Sequence, residues 1–520
     1  MTERARLSAP HAVVTGVVAL AAALAAGHVV AAFVGRSASP YLAVGSAVVE
    51  LTPAWLEDWA VRTFGTADKV VLLGGMAVVL LLLAVVAGVL SRRGPGPGTA
   101  LIGGLGVLGG VAVFTRADVG QLALLAPLAS LVAGIGTFRF LHARALRETT
   151  ENPDNPENIG GRPAPGRRRF LLGAGGVAAG AGVLGLGGQL LGVSRDAASS
   201  RAAVPPLRPV RPAPPVPPDA DFAKLGTPTF LTPNTDFYRI DTALVVPQVR
   251  ADGWTLRLHG MVERELELSY DDVRARRLVE RTITLCCVSN EVGGPLISTA
   301  NFIGVDLGEL LREAGVRPGA EQLFSTSADG WTCGTPLAVV LDRDRGALLA
   351  LGMNGEPLPL EHGFPARLVV PGLYGYVSAT KWVTDLEVTT WEARRAYWFE
   401  RDWAREAPVK TQSRIDRPVA FGTLLAGRVV AAGIAWAQHT GIAKVEARLD
   451  SGPWREAELS TVVTDDAWRM WQIALDVPRP GNHRLTCRAT DRSGYTQTPL
   501  RSPVLPDGAT GWHEITFTTT

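Results

Sequence analysis

Two hydrophobic codes divide the chain. Near the N-terminus, stretches without Asp, Glu, Lys or Arg run over roughly 9–35, 70–91, 98–115 and 119–138. Each approaches or exceeds the ~20 apolar residues that cross a bilayer as a helix. The third is rich in glycine, and so is a fifth charge-free stretch over 170–194. This pattern predicts an all-α membrane region of four spans over 1–145. A polar loop and a fifth span follow over 146–195. Beyond residue 222 the apolar positions alternate instead, the period of half-buried strands. Strands are predicted at 254–260, from Leu266, at 366–370 and at 382–390. A helix starts near 270 with Ser269 as its cap, and an amphipathic helix over 305–314 stops at Gly315. That mixture predicts an α+β domain over 222–405. From 406 to 520 the helix signals fade. Strand-like runs at 424–437, 442–450, 468–477 and 483–490 alternate with the turn pairs Ser451-Gly452, Pro480-Gly481 and Ser493-Gly494. Regular short strands of this kind predict an immunoglobulin-like β-sandwich. Between membrane and globular parts, 203–218 holds eight prolines. The segment 196–221 is therefore expected to be a stiff linker that lifts the domain off the bilayer.

Charge refines the topology. The net charge of +2 gives no reason to expect a nucleic-acid partner. Basic residues flank the spans: Arg4 and Arg6 before the first, Arg92 and Arg93 after the second, Arg139, Arg144 and Arg147 after the fourth, and Arg167, Arg168 and Arg169 before the fifth. If the five spans alternate, all these arginines lie on the cytoplasmic side. Everything beyond about 195 is then extracytoplasmic, as is the 36–67 loop with Glu50, Glu57 and Asp58. The run Arg167–Leu172 followed by apolar residues is also like a twin-arginine export signal. An ordinary basic flank is the plainer alternative. Because the motif is internal, an uncleaved anchor is expected, in a multi-pass protein of the cell membrane. The spans hold almost no charge or polar cluster, which favours anchoring over transport. They contain His28 and, at the start of the first, His11, with His142 just beyond the fourth, and an internal haem relay is not expected.

Four cysteines, Cys286, Cys287, Cys333 and Cys487, form no CxxC or Cys/His cluster, so zinc and iron–sulfur sites are not expected. Cys286 and Cys287 lie where a strand enters a loop, a common position for ligand groups. By themselves they are weak evidence, since a buried packing thiol is the more common case. Ordered blocks of sequence change the weight. Thr284-Leu285-Cys286-Cys287-Val288-Ser289-Asn290 is followed by Met353–Leu358, Glu361–Gly372, Gly375 and Lys381-Trp382. Ser413–Pro418, Gly433–Trp436, Gly441-Ile442, Arg488–Asp491 and Gly494 come later. In these blocks residues 230–520 resemble the sulfite oxidase family of molybdopterin-dependent oxidoreductases, including its C-terminal dimerisation domain.

The resemblance implies a molybdenum–molybdopterin cofactor. Its metal would be ligated by Cys287, the catalytic position, because the family's Thr-Leu-x-Cys-x-x-Asn register selects that thiol over Cys286. A soft thiolate suits such a metal. By family position, Asn234, Phe237, Tyr238, Thr326, His362, Arg367, Ser378, Thr380 and Lys381 are expected to bind the cofactor. Arg367 could fork onto a phosphate or ring edge. Cys286, Cys333 and Cys487 are read as packing. The resemblance also implies a homodimer and a small-molecule substrate. The electron carrier would be external: a quinone, a cytochrome or a membrane partner.

The family pattern breaks near the start of the domain. Sulfite-oxidising members carry Phe-Tyr-x-Arg-Asn-His, where this chain has Phe237-Tyr238-Arg239-Ile240-Asp241-Thr242. They also carry a tyrosine where Leu351 stands. Loss of cationic donors argues against a small dianion as substrate and is compatible with an S- or N-oxide. The competing reading is an inactive scaffold or binding protein that keeps the fold. Retention of Cys287, His362, Arg367 and Lys381 weighs against it.

Overall fold

The computed structural model describes residues 6–53, 56, 59–60, 63–64, 67–116, 119–151, 175–176 and 197–520. The expected fifth span and the Arg167–Arg169 motif lie outside the described residues, apart from residues 175–176. The chain divides into two compact units, one of 1–196 with 242–248 and one of 197–241 with 249–520.

In the first unit, four helices are long and apolar enough to cross a membrane: Ala9–Val34, Asp68–Arg93, Gly96–Phe114 and Gln121–Arg147. Each begins within about two residues of the span read from the sequence, and the fourth continues past the expected end at 138. The loop expected over 36–67 contains a further helix, Pro40–Leu51. Small residues let the first two long helices touch backbone to backbone. A Cβ built on Gly16 would sit 2.0 Å from the Ala84 carbonyl oxygen, and one on Gly88 would sit 2.0 Å from that of Ala12. Close packing through small residues of this kind is a recurrent way for apolar helices to associate. Ser130 adds a hydroxyl bond of 2.8 Å to the Ala23 carbonyl.

In the second unit, one five-stranded sheet runs Leu266–Ser269, Thr255–Gly260, Val383–Thr389, Gln322–Ser327 and Thr332–Pro336. A second runs Val279–Cys286, Ile297–Asp306, Leu348–Met353 and Glu356–Pro357, with Arg367–Val369 also paired to Leu348–Met353. Leu348–Met353 is buried at every position. Short helices sit at strand ends for local reasons. Ser269 and Asp272 close a reciprocal capping box on Tyr270–Arg274, which satisfies two otherwise orphaned backbone donors. Asp306 caps Leu307–Ala314, and Gly315 ends it in the left-handed region.

Beyond residue 406, two sheets enclose a second core. One is Gln412–Arg417, Gly427–Trp436, Arg469–Val477 and Glu458–Leu459. The other is Thr423–Leu424, His513–Thr519, Gly481–Asp491, Ile442–Leu449 and Arg455–Glu456. Val429, Trp471 and Leu475 from the first meet Val445, Leu485 and Phe517 from the second. Cys487, fully buried, fills space there and takes the Ser413 hydroxyl at 3.2 Å.

The proline-rich segment departs from expectation. It is bound along the globular unit rather than projecting as a spacer. Ala197–Ala203 is helical, and Arg201 donates to the carbonyls of Pro357 and Leu358. Val210 donates its backbone N–H to the Leu278 carbonyl, and the Arg211 carbonyl accepts from Glu280. Proline lacks a donor, but an edge partner needs only every second group. The domain boundary therefore falls near 197 rather than 222.

Candidate active site

The strand Val279–Cys286 carries the chain to Cys287, whose N–H still bonds the Leu296 carbonyl at 3.0 Å. The Cys287 carbonyl then accepts from the Asn290 N–H at 3.0 Å. Asn290, itself buried, takes the Leu296 N–H on its side-chain oxygen at 2.8 Å. This explains why an asparagine stands three residues after the cysteine: it closes the loop that presents the thiol. Cys287 is 9% exposed and Cys286 2%. Burial raises the pKa of both thiols. Arg414, from the second core's first strand, donates to the Gly294 carbonyl at 2.9 Å and pairs with Asp416 at 2.8 Å. The sandwich thus braces the far side of the same loop.

Around this thiol lies a cluster of aromatic and basic side chains. Phe237 stacks on Tyr238 at 5.5 Å and meets the edges of Phe302 and His362 at 6.2 and 5.4 Å. Tyr238 is pushed well above its ordinary pKa, first by burial and then by Cys287 and Cys286, with Arg367 opposing. One phenol therefore senses both the thiols and the guanidinium. His362 is 3% exposed. Its Nε2 donates to the Asn234 carbonyl at 3.1 Å, which leaves Nδ1 as the ring's acceptor. Burial and the neighbouring Arg367 hold its pKa down at about 4, so the ring is neutral at pH 7.

Arg367 is the least satisfied of the group. It is 5% exposed, and its donors reach only the Leu368 carbonyl at 3.4 Å and the His362 carbonyl at 3.2 Å. No carboxylate among the described residues forms a salt bridge with it. Burial lowers its pKa to about 10. The guanidinium lies 5.8 Å from the Phe302 ring centroid. Gly363, at φ +110°, makes the cluster compact, because a Cβ there would lie 3.1 Å from both the Arg367 Cβ and the Lys381 Cα. A side chain at that backbone conformation would be strained as well.

Lys381 donates to Asp241 at 2.7 Å and to the Glu361 carbonyl at 3.2 Å. Burial brings its pKa down to about 8, against the opposing pull of Asp241. The next residue, Trp382, holds φ +51° although bulky. Its buried indole fixes it by donating to the Leu360 carbonyl at 2.8 Å. Strain of this kind persists only where the surroundings over-determine it.

The remaining expected residues sit differently. Asn234 donates from its amide to Glu356 and accepts from Asn354, while its carbonyl holds His362. Ser378 donates to the Leu373 and Tyr374 carbonyls, and Thr380 bonds the Ser325 hydroxyl at 2.7 Å. Both are wholly buried and brace the loop before Lys381. Since Ser325 faces Thr380, the next strand residue, Thr326, alternates to the opposite face. Among the family departures, Ile240 is 47% exposed and Leu351 fully buried. Asp241, Phe302 and Asn290 are partners that the candidate list lacked.

The donor set fits a cofactor that brings its own metal ligands. Among the described residues no three His, Cys, Asp or Glu side chains gather to hold a metal. Cys287 offers one soft ligand, and Arg367 offers a buried cation without a carboxylate partner among the described residues. An anionic, sulfur-bearing organic group would meet both needs.

Residues 243–398 match the family model described as the oxidoreductase molybdopterin binding domain. Mitochondrial sulfite oxidase of Rattus norvegicus is 31% identical over 328 residues, covering 54% of this chain and 60% of its own length. The Homo sapiens mitochondrial sulfite oxidase is 31% identical over 328 residues, 53% of this chain and 58% of its own. The NADPH nitrate reductase of Mycosarcoma maydis is 32% identical over 214 residues, 34% of this chain and 22% of its own. The chain thus spans 60% or less of the length of these three relatives. Among solved structures, the sulfane dehydrogenase SoxCD of Paracoccus pantotrophus aligns over 52% of this chain and 74% of that chain, at 26% identity and a TM-score of 0.45.

Proposed function

For a chain that carries a sulfite oxidase-like molybdopterin-binding domain, with molybdenum–molybdopterin as its cofactor, we propose a membrane-anchored oxidoreductase acting on a small molecule outside the cytoplasm. The observation that carries the reading is a buried thiol at a strand end, in a loop closed by Asn290, in the same unit as a buried guanidinium that forms no salt bridge among the described residues. When bound, the cofactor supplies two-electron, oxygen-atom chemistry.

The protein's residues do the rest. Cys287 is the metal ligand, held at a strand end by Asn290. Arg367 supplies positive charge toward the anionic parts of the cofactor, and Lys381, its charge matched by Asp241, binds beside it as a hydrogen-bond donor. His362, neutral and with Nε2 committed to Asn234, offers Nδ1 as an acceptor. Phe237, Phe302 and Trp382 keep water out, which strengthens each of these interactions. Ser378 and Thr380 position the loop, with Thr326 and Asn234 in supporting places. Ile240, Thr242 and Leu351 favour an S- or N-oxide over sulfite. The four apolar helices, together with the fifth span expected over 170–194, anchor the chain, and the arginine flanks on one side of five alternating spans support a catalytic unit outside the cytoplasm. The motif at Arg167–Arg169 would export it already folded. The last 115 residues form an immunoglobulin-like sandwich that pairs two copies, and electrons pass to or from a quinone, a cytochrome or a membrane partner.

Metal and pterin analysis of the purified protein tests the core of this reading. Wild type and Cys286→Ser should carry molybdenum with pterin, and Cys287→Ser should lose the metal while keeping its circular dichroism. A natively folded, metal-free wild type made in a cofactor-producing host would refute it. A redox-dye assay across sulfite, sulfoxides and N-oxides then identifies the substrate class.

A further inference from the structure

The strand that delivers Cys287 lies at the edge of its sheet, and the outward backbone groups of an edge strand need partners when they are buried. At Thr284, three residues before the thiol, the partners come from the domain beyond residue 406. The Asp466 carbonyl accepts the Thr284 N–H at 2.9 Å. The Gln438 amide donates to the Thr284 carbonyl at 3.0 Å, and the Trp468 N–H donates to the Thr284 hydroxyl at 2.7 Å. Thr284, Gln438 and Trp468 are all buried. The Trp468 indole is fixed in turn on the Phe230 carbonyl at 3.0 Å.

The same domain takes hold again after the thiol. Arg414 donates to the Gly294 carbonyl at 2.9 Å while Asp416 holds its Nε at 2.8 Å. His513 accepts the Ile415 N–H on Nδ1 at 2.9 Å. Its ring lies against Gly293, where an added Cβ would sit 2.3 Å from Nε2. The chain from Thr284 to Gly294 is thus fixed at both ends by one packed domain, with Cys287 between the two grips. Groups one step removed from a metal ligand orient it and tune its bond. Resting on the cofactor reading above, we infer that Thr284 and Arg414 are positioning residues for Cys287: through them the sandwich domain sets where the thiol stands, and so belongs to the active-site framework.

The test uses the full chain in detergent, made without the cofactor and in a Cys286→Ser background. Mass spectrometry follows the rate at which iodoacetamide alkylates Cys287, beside Cys333 as a fully buried reference thiol. Arg414→Met combined with Asp416→Asn removes the second grip without leaving a lone buried carboxylate. Thr284→Val removes the hydroxyl bond of the first grip at nearly constant shape, and Thr284→Ser restores it. The Arg414–Asp416 variant and Thr284→Val should each alkylate Cys287 on the order of tenfold faster than the parent, by local opening of the loop. Cys333 should keep its rate, and Thr284→Ser should match the parent. The inference is overturned if the folded variants alkylate Cys287 no faster. It is equally overturned if Cys333 accelerates by the same factor, since the contacts would then serve general stability only. If the Arg414–Asp416 variant fails to fold, the two Thr284 variants decide; loss of fold in all of them overturns the inference. The thiol rates need no metal, whereas molybdenum content of loaded wild type reports on the cofactor reading, so the two failures are distinguishable.

Discussion

Replacing Arg367 by methionine should stabilise the protein without its cofactor and weaken it with the cofactor bound. The reason lies in the burial of an arginine that pairs with no carboxylate among the described residues. Burial lowers its pKa from the ordinary arginine range to about 10. At about 1.4 kcal/mol per pH unit, that displacement corresponds to roughly 3 kcal/mol against the charged form. The side chain is only 5% exposed, so solvent screening offsets little of this. Methionine keeps the aliphatic stem against Phe302 and removes the charge, although it also forfeits weak bonds to the Leu368 and His362 carbonyls. A net gain of about 1–2 kcal/mol is expected for cofactor-free protein, by the rule that replacing a poorly compensated buried charge with an apolar side chain is often stabilising. With the cofactor in place the sign reverses. Truncating one partner of a buried, hydrogen-bonded charge pair costs about 2–5 kcal/mol, so cofactor affinity should fall at least tenfold. The assay is urea denaturation of protein made in a host unable to synthesise the cofactor, beside pterin retention after dialysis of loaded protein. Cofactor-free Arg367→Met that is less stable than wild type, together with unchanged pterin retention, would show that Arg367 is an ordinary structural arginine.

Acid should selectively destabilise the cofactor-free unit through His362. Its pKa is held at about 4 against an ordinary 6.5, so the unfolded chain takes up the proton first, and the stability present above pH 6.5 is lost as pH falls toward 4. The wild type should lose up to about 3 kcal/mol more than His362→Gln over that window, with His513, also near 4, contributing equally to both proteins. Parallel denaturation curves for the two proteins between pH 6.5 and 4 would contradict this. In the first unit, Gly88→Leu should force its helix from the Ala12 backbone and lower the thermal midpoint in detergent by several degrees, consistent with overpacking costs of about 1–3 kcal/mol. Gly74→Leu, with nothing within 4 Å of its added Cβ, should not; equal midpoints would remove the case for glycine-mediated contact.

What the sequence made legible, and what it hid, divides along the range of the interactions involved. Strand and helix positions from 254 to 490 could be read because periodicity and caps are local: the Ser269 capping box and the Gly315 stop need only neighbouring residues. The register that singles out Cys287 was local too, since Asn290 acts three positions away. The fate of the prolines was not local. A run that reads as a free spacer becomes an edge partner only because Leu278 and Glu280, some 70 residues later, present the complementary groups. The same holds for the charge of the cluster. Lys381 and Arg367 look alike in sequence as two basic residues in a cofactor block. Folding separates them, since one receives Asp241 from 140 positions upstream and the other receives no carboxylate among the described residues. Residue type alone therefore predicts two anion-binding cations, whereas the fold leaves only Arg367 uncommitted. A loss of cofactor affinity on Arg367→Met much larger than on the double replacement Lys381→Met with Asp241→Asn is the consequence, because that pair carries no net charge.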